Sequence, residues 1–257
     1  MLAYETHGAP GRPWAILSGA LATDRRLWRG QVEALAGSHR VLIYEHPGHG
    51  ESRVPEGSAD WHVRDLAKDV VALMDALSIE KAAWIGLSLG GSVGMQLALD
   101  YPHRVSALAF CCARADAPGP YVQLWKNRSA RVAARGMTGV AEETLQRWFA
   151  TPADEQPPHV LALARQMIEA TDPAGYTGCA GALSRLDMRE RLQELSLPVL
   201  FVAGGSDQAI PPQVLRELHE RVPDSHLVEL AGAGHLLNLD SPAAFNECLT
   251  RFLRDAE

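Results

Sequence analysis

Cysteine is scarce, basic residues are outnumbered, and no long apolar run is present. Four cysteines, Cys111, Cys112, Cys179 and Cys248, stand in 257 residues. That is too few for a disulfide framework at this length, and their spacing fits no metal knuckle, so they read as reduced, mostly core residues. Lys and Arg number 24 against 31 Asp and Glu, a formal net charge of −7. The broad cationic surface that binds nucleic acid is therefore missing, and an anionic ligand would need a local patch of positive charge. No stretch approaches the roughly 18 apolar residues of a membrane span. Met1 to Pro10 contains Glu5 and has neither a basic start nor an apolar run, unlike a secretory leader. The expectation is a cytoplasmic protein without membrane or nucleic-acid partners, and neither a metal nor an organic cofactor is implied.

What the chain does contain is an ordinary globular balance, 47% hydrophobic and 21% charged, over a length that suits one large α/β domain or a domain carrying an inserted lid. Short apolar runs bounded by Gly, Pro or polar residues predict strands at Trp14 to Leu17, Val41 to Tyr44, Ala82 to Ile85, Val105 to Phe110, Val199 to Ala203 and His226 to Leu230. Helical periodicity predicts helices at Trp61 to Leu77, Leu89 to Leu99, Gln213 to Arg221 and Pro242 to Arg254. Strand and helix in alternation imply a mostly parallel sheet flanked by helices. The alternation stops after Cys112. From Pro118 to about Arg189 the pattern is helical, with breaks at Gly136, Thr151-Pro152, Pro157-Pro158 and Asp172-Pro173. The division expected is a core of residues 1–117 and 190–257 with a helical cap at 118–189.

Gly86-Leu87-Ser88-Leu89-Gly90 follows a strand and opens a helix. In that context Gly-x-Ser-x-Gly is a nucleophile elbow: the flanking glycines permit a strained turn that pushes the Ser88 hydroxyl out over the sheet edge. A serine hydroxyl needs a base, and the base needs an orienting carboxylate, in the order Ser, Asp or Glu, His. The strand ending at Ala203 runs into Gly204-Gly205-Ser206-Asp207, and the next runs into Gly232-Ala233-Gly234-His235. Asp207 and His235 are thus the candidate acid and base, with Glu229 and Asp240 as alternative acids. An oxyanion requires two backbone N–H donors. Leu89, directly after the serine, is one candidate; Ala20, in the loop Ser18-Gly19-Ala20-Leu21, is the other.

These features resemble the α/β-hydrolase superfamily. Its usual His-Gly in the first loop reads Ser18-Gly19 here, and its Asp-x-x-Gly-x-Gly-x-Ser reads Glu45-His46-Pro47-Gly48-His49-Gly50-Glu51-Ser52. Within the superfamily the chain is most similar to 3-oxoadipate enol-lactonases, across nearly its whole length. That resemblance rests on Leu17-Ser18, Thr23-Asp24, Trp125-Lys126-Asn127-Arg128, Gly136-Met137, Arg147-Trp148-Phe149, Thr171-Asp172-Pro173-Ala174-Gly175-Tyr176 and Arg185-Leu186-Asp187-Met188-Arg189. The family's Asn-Ser is Gly19-Ala20 here, and its methionine after the serine is Leu89, which leaves the substrate open. The opening Leu2 to His7 resembles the second strand of the family sheet. The usual first strand is accordingly expected to be absent, and the 118–189 segment is expected to stay outside the sheet.

The resemblance implies a serine hydrolase opening a small carboxylate-bearing enol-lactone or ester, with Ser88, Asp207 and His235 as catalytic residues. Side-chain chemistry offers separate support. On a helix through Trp125, the residues Val122, Ser129 and Val132 share its side, while Arg128, Arg131 and Arg135 form an adjacent stripe. Arg128 lies at the border and would set a guanidinium beside an aromatic plane, suited to a compact carboxylate; the alternative is a solvated basic face. Trp125, Arg128 and Trp148 are the substrate-binding candidates, although an aromatic such as Trp148 more often packs in a core. Rival readings are another cap-bearing carboxylesterase, a carbon–carbon bond hydrolase, or a receptor-like member with slow turnover. Oligomeric state is not legible.

Overall fold

The computed structural model describes residues 2–55, 60–152 and 155–256. Among these residues seven strands form one sheet: β1 Tyr4–His7, β2 Trp14–Ser18, β3 Arg40–Tyr44, β4 Ala82–Leu87, β5 Val105–Cys111, β6 Val199–Gly204 and β7 His226–Leu230, in the order β1-β3-β2-β4-β5-β6-β7. Only β1 is antiparallel to its neighbour. The central strands β4 and β6 are buried at every position, which is why they read as continuous apolar runs rather than alternating ones. Edge strand β1 is almost wholly exposed.

Helices cover both faces of such a sheet when their apolar residues fall on one side. In α2 (Val63–Ala76) the buried set Val63, Leu66, Ala67, Val70, Leu73 and Met74 keeps the three- and four-residue spacing that faces a sheet. The Asp65 carboxylate accepts the His62 N–H at 3.0 Å and closes its first turn. The remaining helices of the alternating part are α1 (Arg29–Leu35), α3 (Leu89–Asp100), α8 (Pro212–His219), the single turn α9 (Leu237–Asp240) and α10 (Pro242–Asp255). No apolar-periodicity signal marked α1: only Gln31 and Leu35 are buried in it. Among the described residues no helix is long and apolar enough to cross a membrane.

Four helices, α4 (Gly119–Arg135), α5 (Thr138–Trp148), α6 (Pro158–Ala170) and α7 (Pro173–Leu183), lie between β5 and β6, and none adds a strand to the sheet. Their ends fall where the sequence breaks. Gly136 follows α4 at φ +66°, and α7 starts at Pro173 with the Asp172 carboxylate accepting the Ala174 N–H at 2.7 Å. The entry and exit of this segment are held together: Asp116 and Asp187 form an antiparallel bridge, Met188 N–H donates to Ala115 O at 2.8 Å, and Asp116 pairs with both Arg114 and Arg189.

Helix α3 runs unusually close to β2. A Cβ on Gly90 would lie 2.1 Å from the Ser18 carbonyl oxygen, and the Gly90 carbonyl already accepts the Trp84 indole N–H at 2.9 Å. Backbone on backbone cannot give way, so Gly90→Ala is expected to destabilise the fold by about 3 kcal/mol, read as a lower midpoint in denaturant unfolding. An unchanged midpoint would mean that α3 can move away from β2.

Candidate active site

The carboxyl ends of β2, β4, β5, β6 and β7 converge on one edge of the sheet, the place where parallel α/β sheets carry their ligands. Ser88 occupies the turn between β4 and α3 with φ +56° and ψ −113°, a strained conformation for a residue with a side chain. The turn is pinned on both sides: Ser88 N–H donates to Cys111 O at 2.8 Å, and Gly90 N–H to Gly19 O at 3.0 Å. Ser88 is the N-cap residue of α3, so the positive end of the helix dipole lies beside it.

Asp207 and His235 meet. The Asp207 Oδ2 atom lies 2.8 Å from His235 Nδ1, with the acid side chain fully buried and the imidazole 5% exposed. Asp207 Oδ1 accepts the N–H groups of Ala209 at 2.7 Å and Ile210 at 2.9 Å, so the carboxylate is oriented before any substrate arrives. Because a carboxylate accepts, Nδ1 carries the proton and Nε2 is left as the basic nitrogen. Ser88 and His235 line the same cavity, and among the described residues no hydrogen bond joins them. The alternative acids are engaged elsewhere. Glu229 binds Arg216 on the surface. Asp240 accepts Gly234 N–H at 2.7 Å and Ala150 N–H at 3.1 Å, fastening the His235 loop to the end of α5; burial raises its pKa.

Both proposed oxyanion donors sit beside Ser88. Ala20 lines the cavity, and among the described residues neither Ala20 N–H nor Leu89 N–H has an acceptor. The loop carrying Ala20 is braced from behind by Tyr44 at the end of β3 and by His46 just after it. Ser18 Oγ bonds the Tyr44 hydroxyl at 2.6 Å, and His46 Nε2 lies 3.2 Å from Gly19 O. Glu45 fills the position of the family's aspartate. Its carboxylate accepts Glu51 N–H at 2.7 Å and packs so closely on Gly50, itself at φ +51°, that a Cβ there would lie 2.1 Å from Glu45 Oε1.

Beneath this loop His49 Nδ1–H donates to Pro47 O at 3.0 Å, and its Nε2 accepts Ala22 N–H at 2.9 Å. Complete burial lowers His49 to about 4 and His46 to about 3. In the unfolded chain both take up a proton near 6.5, so the folded state loses stability as pH falls from about 6.5 towards 4, by about 1.4 kcal/mol per histidine per pH unit. Replacing His49 with Gln is therefore expected to flatten the pH dependence of the unfolding free energy between pH 6.5 and 4.5. Parallel slopes for the two proteins would contradict the assignment.

The cavity wall is completed by the inserted helices: Tyr121, Leu124, Trp125 and Arg128 from α4, Thr144, Arg147 and Trp148 from α5, and Tyr176 from α7. Trp125 and Trp148 both line it, Trp148 while 5% exposed and so part of the core as well. Arg128 lies 5.8 Å above the Trp125 ring, next to the aromatic plane as the helix pattern predicts. Its guanidinium is already engaged, however: it donates to the Tyr176 hydroxyl at 2.8 Å, to Glu143 at 3.1 Å, and to the Thr144 hydroxyl. Arg147 was not singled out from the sequence beyond its place in a family motif, because its spacing carries no signal of what surrounds it.

The cysteines are unpaired, and only Cys248 is partly exposed. Cys112 lies behind Asp207 and His235, with ligating atoms of the three within 4.8 Å of one another. Burial holds the Cys112 thiol protonated, and the Asp207 oxygens are committed to His235, Ala209 and Ile210, so this trio is suited to packing rather than to a cation.

A family model described as the alpha/beta hydrolase fold matches residues 7–242. The chain is 32% identical to 3-oxoadipate enol-lactonase 2 of Acinetobacter baylyi, over 98% of this chain and 93% of that one. It is also 32% identical to a putative carbamate hydrolase of Azorhizobium caulinodans, over 98% and 94%. The crystal structure of the enol-lactonase from Burkholderia xenovorans superimposes with a TM-score of 0.93 at 34% identity, covering 98% of this chain and 96% of the other. On the strength of that match across most of its length, the chain belongs to the alpha/beta hydrolase fold family.

Proposed function

We propose that the protein is a serine hydrolase that opens a small carboxylate-bearing enol-lactone, or cleaves a similar ester, through an acyl-serine intermediate, with residues 118–189 serving as a cap over the site. The observation that carries this reading is the buried 2.8 Å contact between Asp207 and His235 on the cavity that Ser88 also lines. In the first step His235 Nε2 takes the Ser88 proton as Oγ attacks the lactone carbonyl. The N–H groups of Ala20 and Leu89 hold the oxyanion. The ring C–O bond breaks with the pair leaving on the enol oxygen, which receives the proton from His235. The enol then tautomerises to a ketone, which removes the leaving group as a competing nucleophile. A water molecule, deprotonated by His235, attacks the acyl-enzyme and releases Ser88.

The carbamate hydrolase relative supports a second reading, in which the same residues act on a carbamate. The two readings differ in leaving group: an enolate leaves with little acid assistance, whereas an amine requires full protonation by His235. Steady turnover of enol-lactones, with carbamates, simple esters and carbon–carbon substrates assayed in parallel, tests the proposal. Sustained lactone hydrolysis well above the others is expected. Preferential carbamate turnover would favour the second reading, and a single equivalent of product per chain would indicate a receptor-like protein.

A further inference from the structure

Three guanidinium groups surround one carboxylate at the α4–α5 face. Arg128, Arg131 and Arg147 lie 3.1, 2.5 and 4.0 Å from Glu143 oxygens. The cluster therefore carries positive charge in excess within a protein whose net charge is −7. The three are not equivalent. Arg128 is held by Tyr176, Glu143 and Thr144. Arg131 is absent from the cavity wall and half-exposed. Arg147 lines the cavity, makes no hydrogen bond among the described residues, and has only the long contact to Glu143.

A second donor in the same wall lacks an acceptor. Trp125 Nε1 is buried beside the Tyr121 hydroxyl, without a well-formed hydrogen bond to any partner among the described residues. A buried N–H of this kind is costly unless something fills its bond. Arg147 is also fixed relative to the reacting centre: the carbonyl of the next residue, Trp148, accepts Leu236 N–H at 3.1 Å, and the Gly234 Cα packs against the Phe149–Ala150 backbone. Its charged form is disfavoured by burial and by neighbouring Arg128, a cost that an arriving anion would relieve.

We propose that Arg147, together with the Trp125 indole N–H, forms the subsite that takes the substrate carboxylate, and that Arg128 is the strut that holds the wall in shape. This rests on the hydrolase reading above for the reaction, but not for the binding. Arg147 presents a planar fork to the anion, so a carboxylate fits better than a neutral group of equal size.

The probes are phenyl hydrogen succinate and its neutral isostere phenyl 4-methylpentanoate, with succinate itself as a binding ligand. For the wild-type protein kcat/KM is expected to favour the charged ester. In Arg147→Gln that preference should fall roughly 10- to 150-fold, the worth of one charge-assisted bond, and Arg147→Lys should recover part of it. Arg131→Gln should leave the preference intact. Calorimetric binding of succinate to Ser88→Ala protein should weaken by at least about tenfold when Arg147→Gln is added. An unchanged preference, or unchanged succinate affinity, in Arg147→Gln would overturn the subsite. If no ester is turned over but succinate binding depends on Arg147, the hydrolase reading fails and the subsite stands.

Discussion

Ser88→Ala is expected to lower kcat by roughly 10⁴- to 10⁶-fold while the protein stays folded. The hydroxyl contributes nothing to packing that a methyl group cannot replace, since the turn is held by the backbone bonds of Ser88 and Gly90 rather than by the side chain. The two properties can be separated further. A residue with a side chain at φ +56° is strained, so Ser88→Gly should be equally inactive yet unfold at higher denaturant concentration than Ser88→Ala, by about 1 kcal/mol. More than a tenth of wild-type activity in purified Ser88→Ala would exclude this residue as nucleophile.

The second large effect is expected at Asp207. An asparagine there would offer an N–H where the carboxylate now accepts from His235 Nδ1, driving the imidazole into the tautomer that has no free Nε2 lone pair. Loss of roughly 10⁴-fold in kcat is the consequence for such an exchange. Asp240→Asn provides the contrast. Its carboxylate touches Gly234 and Ala150 N–H groups rather than the imidazole, so it should loosen the His235 loop and cost far less activity. Comparable losses in the two variants would mean that Asp207 acts only by holding its loop.

The elbow was legible because its signal is local. A glycine-flanked serine between an apolar run and a helical repeat needs no knowledge of distant residues. Asp207 and His235 were legible for a related reason: parallel strands end on one edge, so residues just past the ends of β6 and β7 are brought there by topology alone. The four inserted helices were similarly marked by Gly136, Pro158 and Asp172-Pro173. The arginine pattern is different. Helical spacing assigns Arg128 an angle about the axis of α4, but its occupancy depends on Glu143 and Thr144 of α5 and Tyr176 of α7, which no single-helix pattern contains. The same holds for Arg147, whose significance comes from the hydrogen bonds it does not make. Helix α1 escaped notice because it buries too little of itself to leave an apolar stripe.

The nucleophilic character of Ser88 is tested most directly by titration with a fluorophosphonate, from which an activated serine oxygen displaces fluoride. The expected result is consumption of one equivalent per chain, a phosphonyl mass increment confined to the peptide containing Ser88, and ester hydrolysis falling in proportion to labelling, with no reaction in Ser88→Ala. Full turnover by labelled protein, or inactivation with the label elsewhere and Ser88 unmodified, would contradict the account.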